Sequence, residues 1–354
     1  MNKRLYLILV SLLLCILVPS CKNNLITPVN PKNNTIVYEG QDMLLYTMNA
    51  DGTNNKSFFN LVGMEPQYTP DGNKITYIWW DKNSNYDYFL YATDVQNGKT
   101  EKLAFLNHNN ISGPYSYSWS PDKTKILISI PSGVLTQDIY LFDVNAKVLR
   151  HLISGLGFSM GPKWSPDQKQ IYFSNWSAKD STYQGYIMDS DGSNLQPALG
   201  LGKNKVLDLN WSPDGSKITF MSLALNTQFG LYNLFLYNKK DSTTKQITYD
   251  GGCGTGIWSP DGDKILFSDS GNRTSGDLYL VNSDGTNKKQ ITNNHIVNMD
   301  SYLWSPDGEK ILYTVIYGNN IQEDFHIRVV NSDGSNDIDT GVHFVGAGVA
   351  WKPN

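Results

Sequence analysis

The chain is 354 residues long and carries 29 Lys and Arg against 33 Asp and Glu, a formal net charge of −4. No basic cluster breaks that balance, so nucleic acid is not an expected partner. Three cysteines, Cys15, Cys21 and Cys253, are too few for a disulfide scaffold or a cysteine-based metal centre.

At the start, Lys3 and Arg4 precede an apolar run from Leu5 to Val18 and small residues before Cys21. That pattern is a secretory signal, too short for a membrane span. The segment Leu17-Val18-Pro19-Ser20-Cys21 resembles the lipobox of bacterial lipoproteins, although Pro19 is an unusual member of it. The resemblance implies that residues 1–20 are removed and that Cys21 becomes the lipidated first residue. Residues 21–34 then form a polar, Pro-containing tether. By analogy with such lipoproteins, Lys22 in place of Asp at the second position implies the outer membrane. Loss of Lys3 and Arg4 leaves 27 basic against 33 acidic side chains, a net charge of −6. Cys253 is then the one thiol beyond the lipid site, so no internal disulfide is expected.

From residue 35 onward one phrase recurs. Trp-Ser-Pro-Asp-Gly begins at Trp211, Trp258 and Trp304, and versions with the Gly replaced begin at Trp119 and Trp164. A Tyr-Thr-Pro-Asp-Gly copy begins at Tyr68, and a truncated copy at Trp351. These anchors are 51, 45, 47, 47, 46 and 47 residues apart. Each copy predicts four short strands. One ends at the anchor, a second follows the Pro-Asp-Gly turn, a third has a Leu-Tyr pattern, and a fourth follows an Asp-Gly turn. Four-stranded antiparallel units of this period are propeller blades. Third strands occur at Leu45, Leu90, Tyr140, Tyr186, Phe235, Leu278 and Ile327. Because the first of them precedes every anchor, residues 345–351 are expected to complete a blade begun by residues 36–61. The expectation is an all-β fold: a single propeller over residues 35–354, with seven blades closed by a C-terminal strand. The repeated Trp reads as packing between blades.

The tight turns between the first and second strands, and between the third and fourth, lie on one face. The other connections vary and lie on the opposite face, where a site can be placed. Twelve residues past the anchors stand Trp80, Pro131, Trp176, Leu223, Ser270 and Ile316. Two tryptophans outside the anchor series thus share one position, at the start of a variable loop. Candidate ligand-binding residues are Trp80, Tyr86, Trp176, Tyr183, Arg273, His295 and Tyr317. Aromatic rings beside amides and charges suit a glycan or a peptide. The competing reading is that Trp80 and Trp176 only shield the base of their loops.

Catalytic signatures do not survive scrutiny. Gly157-Phe158-Ser159-Met160-Gly161 matches G-x-S-x-G but leads into a strand, not the helix a nucleophile elbow requires. Asp189–Asn194 resembles a calcium loop, yet its twelfth position is Gly200, and an Asp-Gly hairpin turn explains it. Cys253 reads as a small loop residue. The five histidines have no metal-ligand spacing, and His108, His295 and His343 are expected in connections between blades. No catalytic residue, metal or cofactor is assigned. The acids to examine for paired carboxylates are Asp81, Asp180, Asp208, Asp300, Glu323 and Asp324.

The repeat WSPDGxKIxF…LYxxNxDGxNxxxIT resembles that of TolB-type β-propellers over about residues 35–354. TolB is a periplasmic scaffold with an α/β domain before its propeller, for which this chain is expected to have no room. Similar repeats occur in prolyl-oligopeptidase-like peptidases and in oligogalacturonate lyases. The repeat does not choose among these functions. The failure of every catalytic motif and the expected lack of a second domain point instead to a lipid-anchored, monomeric envelope protein that binds an envelope protein or a glycan without catalysis. The alternative is a polysaccharide-active lyase or hydrolase working on the variable face.

Overall fold

The computed structural model describes residues 34–84, 86–107, 116–133, 135–179, 182–200, 206–223, 232–249, 251–270, 276–293, 301–317 and 324–353. The secretory segment, Cys21 and the tether lie outside them. The described residues are all β apart from two single-turn 3-10 segments, Lys82–Ser84 and Ala198–Gly200. No helix among them is long and apolar enough to cross a membrane.

The strands fall into four-stranded antiparallel units, as the period requires. Unit one contains β1 (Thr35–Gly40), β2 (Leu44–Asn49) and β3 (Lys56–Val62). Unit two is β4 (Met64–Tyr68), β5 (Lys74–Asp81), β6 (Asp87–Asp94) and β7 (Thr100–Asn107). Unit three is β8 (Ser116–Trp119), β9 (Lys125–Gly133), β10 (Thr136–Asp143) and β11 (Val148–Ile153). Unit four is β12 (Phe158–Trp164), β13 (Gln170–Ser177), β14 (Thr182–Asp189) and β15 (Gln196–Pro197). Unit five is β16 (Leu209–Trp211), β17 (Lys217–Leu223), β18 (Tyr232–Asn238) and β19 (Thr243–Gln246). Unit six is β20 (Ile257–Trp258), β21 (Lys264–Asp269), β22 (Asp277–Asn282) and β23 (Lys289–Gln290). Unit seven is β24 (Tyr302–Trp304), β25 (Lys310–Tyr317), β26 (Asp324–Asn331) and the first half of β27 (Ile338–Trp351).

The second half of β27 continues into unit one, where Ile36 pairs with Trp351, Val37 with Ala350 and Tyr38 with Val349. Residues 345–351 therefore supply the fourth strand beside β1. One point differs from the sequence reading. No loop separates the two halves of β27, so His343 lies in a strand, opposite His326. An uninterrupted strand is possible because Gly341, at a φ of 68°, and the run Val345-Gly346-Ala347-Gly348 let one strand turn from one sheet into the next.

The Trp-Ser-Pro-Asp phrase is a hydrogen-bonded cassette. In unit six, Ser259 Oγ donates to Asp261 Oδ1 at 2.6 Å and accepts the Lys264 amide at 2.9 Å. Asp261 Oδ1 also accepts the Asp263 amide at 3.0 Å. The same contacts recur around Ser120, Ser165, Ser212 and Ser305, and around Thr69. Packing between units follows one rule. Seven hydrophobic clusters each straddle two consecutive units, and the anchor ring of the later unit sits in each. One of them joins unit seven (Leu303, Leu312, Ile327) to unit one (Ile36, Met48, Trp351). The indole N–H groups of Trp258, Trp304 and Trp351 also donate to carbonyls of Asn210, Ile257 and Leu303 in the preceding unit. The anchors are structural.

Candidate ligand-binding face

Trp80 is the penultimate residue of β5, and its cross-strand partner is Tyr88 of β6. The two rings meet edge to face, 6.1 Å apart at 75°. Trp79 stacks on Trp80 with centroids 3.7 Å apart. Trp176 closes β13 in the same way, and its partner across the hairpin is Tyr183 of β14. The shared position therefore yields two Trp–Tyr pairs, one in unit two and one in unit four. Trp80 also packs its ring against the apolar cluster between units two and three. Part of it shields the hairpin base, as the competing reading has it, while Trp80, Trp176 and Tyr183 stay partly accessible.

Beyond Trp80 the chain turns. Asp81 accepts the Asn83 amide at 2.9 Å and pairs with the Lys102 ammonium. The hydrogen bond from Lys102 is the main reason its carboxyl is held below the usual range. Tyr86, half exposed, follows at a φ of 62°, a strained region for a ring-bearing residue. On the outer side of unit two, Lys102 lies 4.2 Å over the Phe89 ring and Phe105 meets Phe89 edge to face. Trp79, Tyr88 and Lys102 thus join the candidate group. The alternation in Ile78-Trp79-Trp80-Asp81 and Tyr86-Asp87-Tyr88-Phe89 was its only sequence signal.

Of the other expected site residues, Arg273 and His295 lie outside the described residues, as does Cys21. Tyr317 ends β25, and only its backbone is described. Asp180, Asp300 and Glu323 are also outside, and the side chain of Asp324 is not described. Asp208 faces the first strand of unit four, where it pairs with Lys163 and accepts the Thr255 hydroxyl. Asn210 adds a 3.0 Å contact to the same ammonium. Asp81 and Asp208 each answer a lysine, not a second carboxylate.

Ser159 is buried inside β12 and donates to Asn175 Oδ1 at 3.1 Å. The glycines around it are required by the backbone. Gly157 has a φ of 124°, and a Cβ there would lie 2.5 Å from the Trp176 carbonyl oxygen. Asp191 caps its own hairpin turn through Ser193, at 2.6 Å to the hydroxyl. Cys253 is buried against Tyr232, and burial pushes its thiol up to about 12, where it is unreactive at neutral pH. His326 and His343 meet with ring centroids 4.3 Å apart and planes tilted at 59°, with Asp339 3.4 Å from His326 Nδ1. Among the described residues no group of three or more His, Cys, Asp or Glu gathers to hold a metal.

Repeated four-stranded units, each with the same cassette turn between its first two strands and each packing its anchor ring in a cluster shared with the preceding unit, define a β-propeller protein. A family model described as the TolB beta propeller domain matches residues 29–178 and 174–338, and the chain belongs to that family. Among solved structures it is similar to TolB from Acinetobacter baumannii, at 20% identity with a TM-score of 0.57, over 80% of this chain and 68% of that one. It is also similar to an oligogalacturonate lyase in complex with manganese, at 14% identity and a TM-score of 0.58, over 77% of this chain and 79% of that one. A curated relative, the Tricorn protease homolog of Saccharolobus solfataricus, is 24% identical over 148 residues, 41% of this chain and 13% of its own length. The chain spans well under half the length of the curated relatives it matches.

Proposed function

We propose that this protein is a lipid-anchored cell-envelope scaffold, built as a closed ring of seven blades, that binds a glycan or a protein segment on its variable face without catalysis. The reading rests on the two Trp–Tyr pairs at one repeat-equivalent position, because packing alone does not call for a large aromatic there. The other units carry Pro131, Leu223, Ser270 and Ile316 at that place. Ring faces beside Asp81 and Lys102 offer stacking and hydrogen bonding together, as sugars and peptides require. Anchoring through Cys21 and a place at the outer membrane follow from the lipobox resemblance.

The test is binding of residues 22–354 to glycan and peptide arrays. Trp80→Ala and Trp176→Ala are expected to weaken any ligand by about 1 kcal/mol or more, roughly fivefold or greater, while melting near the parent. Turnover of a polysaccharide by the parent protein, lost on replacing a carboxylate, would overturn the non-enzymatic reading. In cells, Cys21→Ser is expected to move the protein from the membrane fraction to the soluble one.

A further inference from the structure

Counting three residues past the strand partner of each anchor gives Glu39, Ile78, Ser129, Ser174, Met221, Ser268 and Thr314. Six units place an apolar or small hydroxyl side chain there, and unit one places a carboxylic acid. Glu39 is 3% exposed, and its Oε2 has no hydrogen-bond partner among the described residues. It lies where the pairing of β1 with β27 breaks: Tyr38 faces Val349 and Gly40 faces Phe344, so four residues stand opposite one. The strand that approaches from unit two is fitted to the same spot. A Cβ on Gly348 would come within 2.6 Å of Pro66 and 3.0 Å of the Glu65 Cα. Glu65 in turn accepts the Tyr117 hydroxyl on its carbonyl at 2.8 Å, which ties the spot to unit three.

Among the described residues, the groups around Glu39 offer it no cation. Glu65 faces it from β4. Asp42 and Tyr46, in the β1–β2 hairpin, are bonded to each other at 2.8 Å. Residues 344–349 of β27 include no titratable side chain, and the ring of His343 just before them meets that of His326. An unpaired carboxylate at such a site costs several kcal/mol, so the neutral acid is the form that fits. We propose that Glu39 is a proton-operated latch on the seam where β27 meets β1. Neutral, it packs between units one and two; ionised, beside Glu65, it drives the two apart where β27 passes between β1 and β4.

Burial first, and the Glu65 charge second, raise the Glu39 carboxyl well above the usual range. The sign follows from linkage. Below the ordinary glutamate range both folded and unfolded chains hold the proton, and Glu39 costs nothing. As pH rises past that range the unfolded chain releases the proton and the folded one keeps it, so stability falls until the folded acid also ionises.

The experiment is the thermal midpoint of the full-length protein from about pH 4 to pH 9, for wild type, Glu39→Gln and Glu65→Gln. Glu39→Gln is expected to match wild type near pH 4 and to exceed it by about 2 °C or more near pH 8, and Glu65→Gln to lessen the wild-type slope. Parallel profiles for wild type and Glu39→Gln overturn the latch. If Glu39→Gln does not fold, infrared spectroscopy of the wild type decides. A protonated carboxyl band at neutral pH that vanishes at alkaline pH supports it, and its absence refutes it.

Discussion

Ser259, Asp261 and Gly262 show how much of the repeat is set by single side chains. The hydroxyl and carboxylate hold the turn from within, and the glycine takes a φ of 79° that other residues reach only with strain. A Cβ at Gly262 would meet only Pro213, at an ordinary 3.5 Å, so space is not the obstacle. Gly262→Ala is therefore expected to cost about 1–2 kcal/mol through the backbone alone, measured by urea denaturation. A change below a few tenths of a kcal/mol would mean that the turn relaxes. Units three and four place Lys123 and Gln168 at the same step, at φ values of 67° and 61°, so the cassette can hold the turn without glycine. Proline and glycine announced this turn in the sequence. The reason for the recurrent Ser or Thr was not legible, because its two bonds become visible only once the turn is closed.

At the scale of the strand, β27 is the element on which the architecture depends. It ends one sheet and begins another, and Trp351 brings its ring to the cluster between units seven and one. Deleting residues 345–354 removes the partner of β1 and exposes that cluster, whereas deleting residues 22–34 removes only the tether. The first deletion is expected to lower the melting temperature by many degrees or prevent folding, and the second to leave it nearly unchanged. Melting of the first within a degree or two of the parent would defeat the closed ring. The pairing of β27 with β1 was readable because strand counts at the two ends matched. That His343 would face His326 was not, since it depends on a glycine-rich bend carrying a strand through without a loop. Glu39 escaped the same way: Tyr38-Glu39-Gly40 reads as an ordinary strand end, and its burial at the break in pairing between β1 and β27 depends on a segment far along the chain. For the ligand face, Trp80 and Trp176 were found by counting from the anchors, while the stack of Trp79 and the partnership with Tyr88 needed the register.

For the molecule as a whole, the described residues give no unit a core of its own. Every large cluster is shared between neighbours, and unit seven shares one with unit one. In an open stack of repeats the terminal units contact one neighbour and fray independently. A ring gives every unit two neighbours and ties their stabilities together. Urea unfolding followed by tryptophan fluorescence and by far-ultraviolet circular dichroism is therefore expected to give coincident transitions. Separated midpoints would mean that the units melt as an open array does.

The strand that completes the first unit is also the last described stretch of chain to leave the ribosome. Until residues 345–351 exist, β1 has a hydrogen-bonding edge with nothing beside it, and Ile36, Tyr38 and Met48 lack the cover they have in the finished fold. Time thus enters the design. For as long as the intervening residues take to be made, the chain carries an exposed strand able to pair with another copy of itself. Its yield in the cell is then set by how well that edge is guarded before the end arrives, as well as by the stability of the finished fold.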